Sequence, residues 1–376
     1  VLTNEGADFF TPRVETLHRY DAPDGEARYG FRLRTIDVPW LKRLLRARFV
    51  EKADFPVREV AAVKSGITDL SRLVVFSLLH GRFSAAALAR SVETDVIRRW
   101  NRQHPHRALD ARSAVSPPEL RSAVAARTAA VAARTAAVEG LKRELSDPIL
   151  RSLGSETRRS AEDVGRLSFF VGDLVGNLDP LVFFALLASG PGRRDALLAE
   201  LRREISSCLS KVDLADYLAL MVLELMGAAE RATLVGQLGP GHSPQQVRTL
   251  LEDPLRRKAM ISALPNGLSA SMSWSLSRRW SHDRWQHRLR LGLHDGNSSY
   301  EDGRRLFEER GTLEVSDRSL QEFYEQGSGP YGDDGLGWYY FSFLADACGE
   351  MKIPFDASVR ERRGRGTAAV SLSFSF

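Results

Sequence analysis

The heptad Ala123-Val-Ala-Ala-Arg-Thr-Ala129 is followed at once by the identical Ala130-Val-Ala-Ala-Arg-Thr-Ala136. Val124, Val131, Val138 and Leu145 therefore recur every seventh residue, and alanine, the strongest helix former, fills most positions between them. A strand cannot use a seven-residue period, whereas a helix places such residues along one seam that packs against another helix. The repeat runs into Arg143-Glu-Leu-Ser-Asp-Pro-Ile149, where Pro148 lacks an amide hydrogen and is expected to kink or end the helix. A second helical pattern covers 160–178. These features predict a coiled-coil-like helical hairpin within 116–200, with a homodimer formed through 120–178.

The remaining composition narrows the class of protein. The chain has 376 residues, 43% hydrophobic and 27% charged, which suits two or three cored domains rather than disorder. Of the 53 basic residues only seven are Lys, so the net charge of +5 and the pI of 9.3 reflect arginine-rich coding more than a nucleic-acid footprint. Two cysteines, Cys208 and Cys348, lie far apart and outside any metal-binding spacing, which predicts a reducing, cytoplasmic setting. The apolar runs at 73–79 and 180–189 are shorter than the roughly 20 residues that span a bilayer, so no membrane span is expected.

Residues 1–115 mix a strand-like stretch at 29–37 with helical patterns at 38–49 and 84–102, and read as an N-terminal domain whose pattern names no type, a sensory role being one option. The stripe Leu88, Val92, Val96 and Trp100 predicts one amphipathic helix over 84–102. Toward the C-terminus, 271–277 and 288–293 alternate as two half-buried strands, and a helical pair is expected at 243–264, within an insertion over 237–267. Basic and aromatic residues interleave at Trp274, Arg278, Arg279, Trp280, Arg284 and Trp285. A hairpin with one packed face explains them better than a nucleic-acid surface, so nucleic acid is not the expected partner.

The order of these features resembles that of a sensor histidine kinase. Arg143-Glu144-Leu145-Ser146-Asp147-Pro148 matches the Glu, Leu and Pro of the family's phosphoacceptor motif, with Arg143 in place of the histidine. The helix around Glu224 resembles the one carrying the first ATP-site motif, with Ala228 where the Mg²⁺-binding Asn belongs and Ala229 matching. His294-Asp295-Gly296-Asn297-Ser298-Ser299 stands where the family has Asp-x-Gly-x-Gly, and Leu306-Phe307-Glu308 resembles the aromatic motif beneath the nucleotide lid. Gly335-Leu336-Gly337 matches the second glycine motif, and Gly366-Thr367 the pair that opens the last strand.

The resemblance implies an α+β chain whose residues 205–376 form an α/β sandwich of the histidine-kinase ATPase type. A mixed sheet is expected, covered on one face by helices that include 214–233 and 338–347, with an open pocket floored by Asp295. It implies ATP or ADP as cofactor, held by Glu224, Asp295, Gly296, Phe307, Gly335, Leu336, Gly337, Gly366 and Thr367. A guanidinium cannot be deprotonated at neutral pH and cannot accept phosphate, and Ala228 offers no oxygen to a metal. The implied activity is therefore that of an impaired kinase, a signalling regulator that binds nucleotide without phosphotransfer, with Glu224 as a residual base and another signalling protein as partner. An active kinase with atypical motifs and a structural adaptor that binds no nucleotide remain the alternatives.

Overall fold

The last strand sets the architecture. In Thr367–Ser375 (β7), Ala368, Val370, Leu372 and Phe374 are buried while Thr367, Ala369, Ser371, Ser373 and Ser375 alternate with them on an open face. That is the pattern of an antiparallel sheet packed on one side only. A computed structural model describes residues 1–12, 17–21, 27–32, 37–110, 132–155, 159–238, 242–264, 268, 270–281, 284–311, 336–361 and 367–376.

The chain divides into two units that are not consecutive in sequence. One comprises 1–75, 213–277 and 288–376, the other 76–212 and 278–287. The first holds a five-stranded sheet in the order β3-β4-β5-β7-β6, built from Lys52–Val57 (β3), Ala270–Ser281 (β4), Arg284–Ser299 (β5), Phe355–Glu361 (β6) and β7. The pairings of β3 with β4, β5 with β7, and β6 with β7 are antiparallel, in contrast to the mixed sheet expected. Pro56 sits in β3, an edge strand, where a missing ladder donor is tolerated. Leu289, Leu291 and Leu293 line the apolar face of β5, and Met272 and Trp274 that of β4.

The sheet also corrects the expected division of the chain. Because β3 pairs with β4 from Lys52↔Ser275 to Val57↔Ala270, residues 1–75 are not a separate N-terminal domain. Ahead of β3 come Asn4–Phe10 (α1), a small antiparallel pair made by His18–Asp21 (β1) and Ala27–Gly30 (β2), and Val38–Arg46 (α2). Of the strand read at 29–37, residues 29 and 30 fall in β2, and 33–36 lie outside the described residues. Thr3 and Asp37 cap the two helices through their side chains, and Phe9, Phe10, Phe31, Trp40 and Phe49 form one aromatic chain.

Val60–Val92 (α3) opens in this unit and continues into the other. It is the one described helix that is by itself long and apolar enough to cross a bilayer, and 56% of its apolar stretch is buried inside the fold, as in a core helix. The single helix expected over 84–102 is interrupted: α3 stops at Val92 and Asp95–Gln103 (α4) follows. Thr94, extended and buried, turns its hydroxyl onto the Ser91 carbonyl at 2.6 Å, which competes with continuation of the helix. Of the expected stripe, Leu88, Val92 and Trp100 share a core cluster with Ile97, Leu109 and Leu181, whereas Ile97 takes the place expected of Val96.

Among its described residues the second unit also holds the ends of β4 and β5 and the helices Ala132–Ser155 (α5), Ala161–Gly176 (α6), Pro180–Ala188 (α7) and Pro191–Leu209 (α8). α5 packs against α6, and of the kink or end expected at Pro148 the end does not occur, since α5 runs on to Ser155. A proline leaves the carbonyl four residues earlier without its helical donor. Here that carbonyl, Glu144 O, accepts from the Arg202 guanidinium at 2.8 Å. Of the heptad seam, Val124 and Val131 lie outside the described residues. Leu145, with Leu141, Ile149 and Leu153, is buried within the chain, where α5 packs on α6 and α8. That part of the seam is therefore consumed internally rather than offered to a second chain.

Candidate functional site

Two helices of the first unit carry the site. Leu214–Leu238 (α9) places Glu224 and Ala228 one turn apart on a half-buried face, since residues four apart stack on a helix. Leu336–Glu350 (α13) packs along α9. At Gly337 the approach is so close that a Cβ would lie 2.9 Å from the Leu225 amide nitrogen and 3.0 Å from the Leu225 side chain. The second glycine motif thus meets α9 at the turn that bears Glu224. Gly337 belongs to the first turn of α13, where backbone N–H groups lack helical acceptors and favour negative charge. Gly335 and the side chain of Leu336 lie outside the described residues.

A third helix, Tyr300–Arg310 (α12), joins these parts to the sheet. It begins at Ser299, whose hydroxyl accepts from the Asp302 amide at 3.1 Å. A Cβ on Gly303 would come within 2.9 Å of Ala368 Cβ on β7 and 3.9 Å of the Trp338 ring on α13, so this glycine lets three elements meet. Phe307 stands edge-on to Phe341 at 5.4 Å and to Trp338 at 6.3 Å. The aromatic motif residue is therefore half-buried against α13.

The Asp295 motif lies where the ladder between β5 and β7 breaks. His294 pairs with Ala369 and Ser299 with Thr367, so residues 295–298 oppose Ala368 alone. Such bulges turn side chains out of the sheet's alternation and recur beside functional sites. His294 Nε2 and Thr367 Oγ1 stand 3.1 Å apart, joining this motif to the start of the last strand. The side chain of Asp295, the floor of the expected pocket, lies outside the described residues, as does Gly366, while Gly296 is half-buried within the bulge.

Contacts therefore run from Leu225, next to Glu224, to Gly337, and from Trp338 past Phe307 and Gly303 to Ala368, next to Thr367, which His294 ties to the bulge that holds Asp295 and Gly296. Arg143 is not among these residues. It is exposed on α5 in the other unit, with Nε 3.4 Å from the Glu139 carbonyl. Trp274 is 1% exposed, which removes it from any basic-aromatic binding surface; the side chains of Trp280, Arg284 and Trp285 lie outside the described residues.

One feature escaped sequence reasoning. Glu230, two residues beyond Ala228, is fully buried, accepts the Val60 amide that opens α3 at 2.8 Å, and is bonded by Arg257 Nε at 2.6 Å. Arg257 belongs to Pro254–Ala263 (α11), which with Pro244–Glu252 (α10) forms the expected helical pair at 243–264. Both pack on the end of α9 through Leu234, Val247, Leu251 and Ile261. The only signal for Glu230 was a carboxylate placed among apolar residues. Among the described residues, no group of three His, Cys, Asp or Glu side chains is placed to hold a metal ion.

The fold and site define an α+β protein with a one-sided five-stranded sheet, a β-bulge in β5 and a helix that bears Gly337 in its first turn. Over residues 1–376 the chain matches, and belongs to, the family described as "Family of unknown function (DUF8084)". It is similar to a protein of Treponema pallidum (strain Nichols) printed as "Uncharacterized protein", at 24% identity over 382 residues, covering 100% of this chain and 96% of that one. No solved structure matches.

Proposed function

We propose that the chain is a regulator resembling a sensor histidine kinase, which binds an adenine nucleotide without transferring its phosphate and self-associates through its helical segment. The observation that carries the reading is convergence. Glu224 and Gly337 on two packed helices, and Thr367 and the Asp295 bulge at one end of the sheet, are linked through Gly303 and Trp338. Asp295 would accept from an adenine amino group, and amides at the start of α13 would meet phosphate. Glu224 lies on the same face as Ala228, whose methyl group supplies no metal ligand.

A test is titration with ATP in the presence and absence of Mg²⁺. Weak binding, nearly indifferent to metal and lost in Asp295→Ala, supports the proposal. Strong dependence on Mg²⁺ with stable γ-phosphate labelling would instead favour an active kinase. Gly337 gives the adaptor reading its own support, because its contact with Leu225 accounts for a glycine there without any phosphate. Absence of binding at millimolar ATP would favour that reading.

A further inference from the structure

With the apolar side of α5 buried inside the chain, its opposite side is open, and the residues there have a symmetry of their own. Glu139, Arg143, Asp147 and Arg151 are all exposed and follow one another every four residues, with alternating charge. Arg143 and Asp147 are equidistant from Leu145, and so are Glu139 and Arg151. Two copies of α5 laid antiparallel about a twofold axis at the level of Leu145 would set Glu139 against the second copy's Arg151 and Arg143 against its Asp147. All four symmetry-related contacts then join opposite charges.

The positions between the charges obey the same symmetry. Gly140 is equidistant with Leu150, and Ala136 with Gly154, so each of these contacts has a small residue on at least one side. A Cβ added at Gly140 or Gly154 would meet nothing within 4 Å in the chain. Glycine is unfavourable inside a helix relative to alanine, and close approach of a second helix is a physical use for it.

Three of the four charges are also not satisfied in pairs along their own helix. Arg143 and Arg151 turn back to the carbonyls of Glu139 and Asp147, at 3.4 and 3.3 Å, and Glu139 pairs with Lys142. Among the described residues, Arg143, Asp147 and Arg151 form no ion pair.

We infer that the outer face of α5 is a self-complementary surface whose partner is a second copy of this chain, docked antiparallel. In such a twofold contact the same patch serves both partners. The inference rests on reading the helical segment as self-associating and is independent of nucleotide binding. Its contact is narrow and polar, so the dimer should be weak and sensitive to salt.

Sedimentation velocity of the full chain tests it, using Arg143→Asp and Asp147→Arg separately and mixed. The wild type should dimerise at tens of micromolar at low ionic strength and dissociate at high salt. Each single variant sets like charges against each other at two symmetric contacts and should raise the dissociation constant about tenfold or more. An equimolar mixture should dimerise again, because one chain then carries carboxylates at both positions and the other carries guanidinium groups at both. Gly140→Arg, on the same face, should dissociate the wild-type dimer without altering any of these charges, and helical circular dichroism checks that each variant folds. A wild type that stays monomeric at hundreds of micromolar overturns the inference and the self-association reading together. A dimer indifferent to the single variants, or variants that fail to pair when mixed, overturns the surface alone.

Discussion

Glu230→Ala should be among the most destabilising single substitutions in the sheet-bearing unit. The carboxylate is fully buried and holds the Val60 amide at 2.8 Å and Arg257 Nε at 2.6 Å. Its removal leaves the Val60 amide, at the buried start of α3, without an acceptor, a loss of about 1–3 kcal/mol for a bond to a charged group. The emptied volume of a methylene and a carboxyl adds about 1 kcal/mol. Arg257 retains 34% side-chain exposure and can turn toward water, so it adds little. Relief from burying a charge offsets part of this total of about 2–4 kcal/mol, and the net loss should be about 1–3 kcal/mol. Glu230→Gln keeps an oxygen for Val60 but turns a neutral amide toward Arg257, and should cost about 1–2 kcal/mol. In a cycle with Arg257→Ala, the coupling of the pair should be at least about 1 kcal/mol. Urea unfolding followed by circular dichroism measures all three. A Glu230→Ala midpoint within experimental scatter of the wild type would refute the account of this carboxylate as the anchor between α9, α3 and α11.

Gly337→Ala should destabilise by about 1–2 kcal/mol, since the clash with the Leu225 backbone exceeds the gain in helix propensity, whereas Gly165→Ala on α6, where a Cβ meets nothing within 4 Å, should stabilise by about 0.5–1 kcal/mol; thermal shifts of the same sign would contradict this. Arg202→Ala should cost about 1–2 kcal/mol by stripping the Glu144 carbonyl of its donor, and should cost much less in a Pro148→Ala background, where the helix amide returns. Burial pushes the Cys208 thiol from 9.0 up to about 12, and Cys348 likewise. Both thiols should therefore resist thiol reagents until the chain unfolds. Because the folded values are raised, this contribution to stability is intact below pH 9 and is lost as pH rises from 9 toward 12. Fast labelling of both at neutral pH in the native state would refute that burial.

Much of the local structure could be read from the sequence because it depends on neighbours a few residues apart. The alternation at 271–277 and 288–293 became β4 and β5, the patterns at 160–178 and 243–264 became helices, and Trp338 to Ala347 lies inside α13. Around the candidate site, the motif positions were named from sequence and the resemblance implied a shared pocket, but the contacts that link them were not legible, because Gly303 and Trp338 join elements distant in the chain. Where local preference and long-range contact conflict, contact decides. Pro148 predicts a kink or a helix end, yet α5 continues past it, and Arg202, more than fifty residues away, supplies the donor that the Glu144 carbonyl lacks. The stripe at 84–102 predicts one helix, yet the buried Thr94 breaks it while the shared core keeps its apolar residues together. Segment 52–57 carries no mark of its partner; only its ladder with β4 draws residues 1–75 into the unit of the C-terminal sheet. The heptad seam was legible as apolar, but burial against α6 and α8 assigned Leu145 to the inside of this chain and left the charged face of α5 open. Sequence periodicity fixes which side of an element is apolar; what covers that side depends on residues far along the chain, which only folding brings into contact.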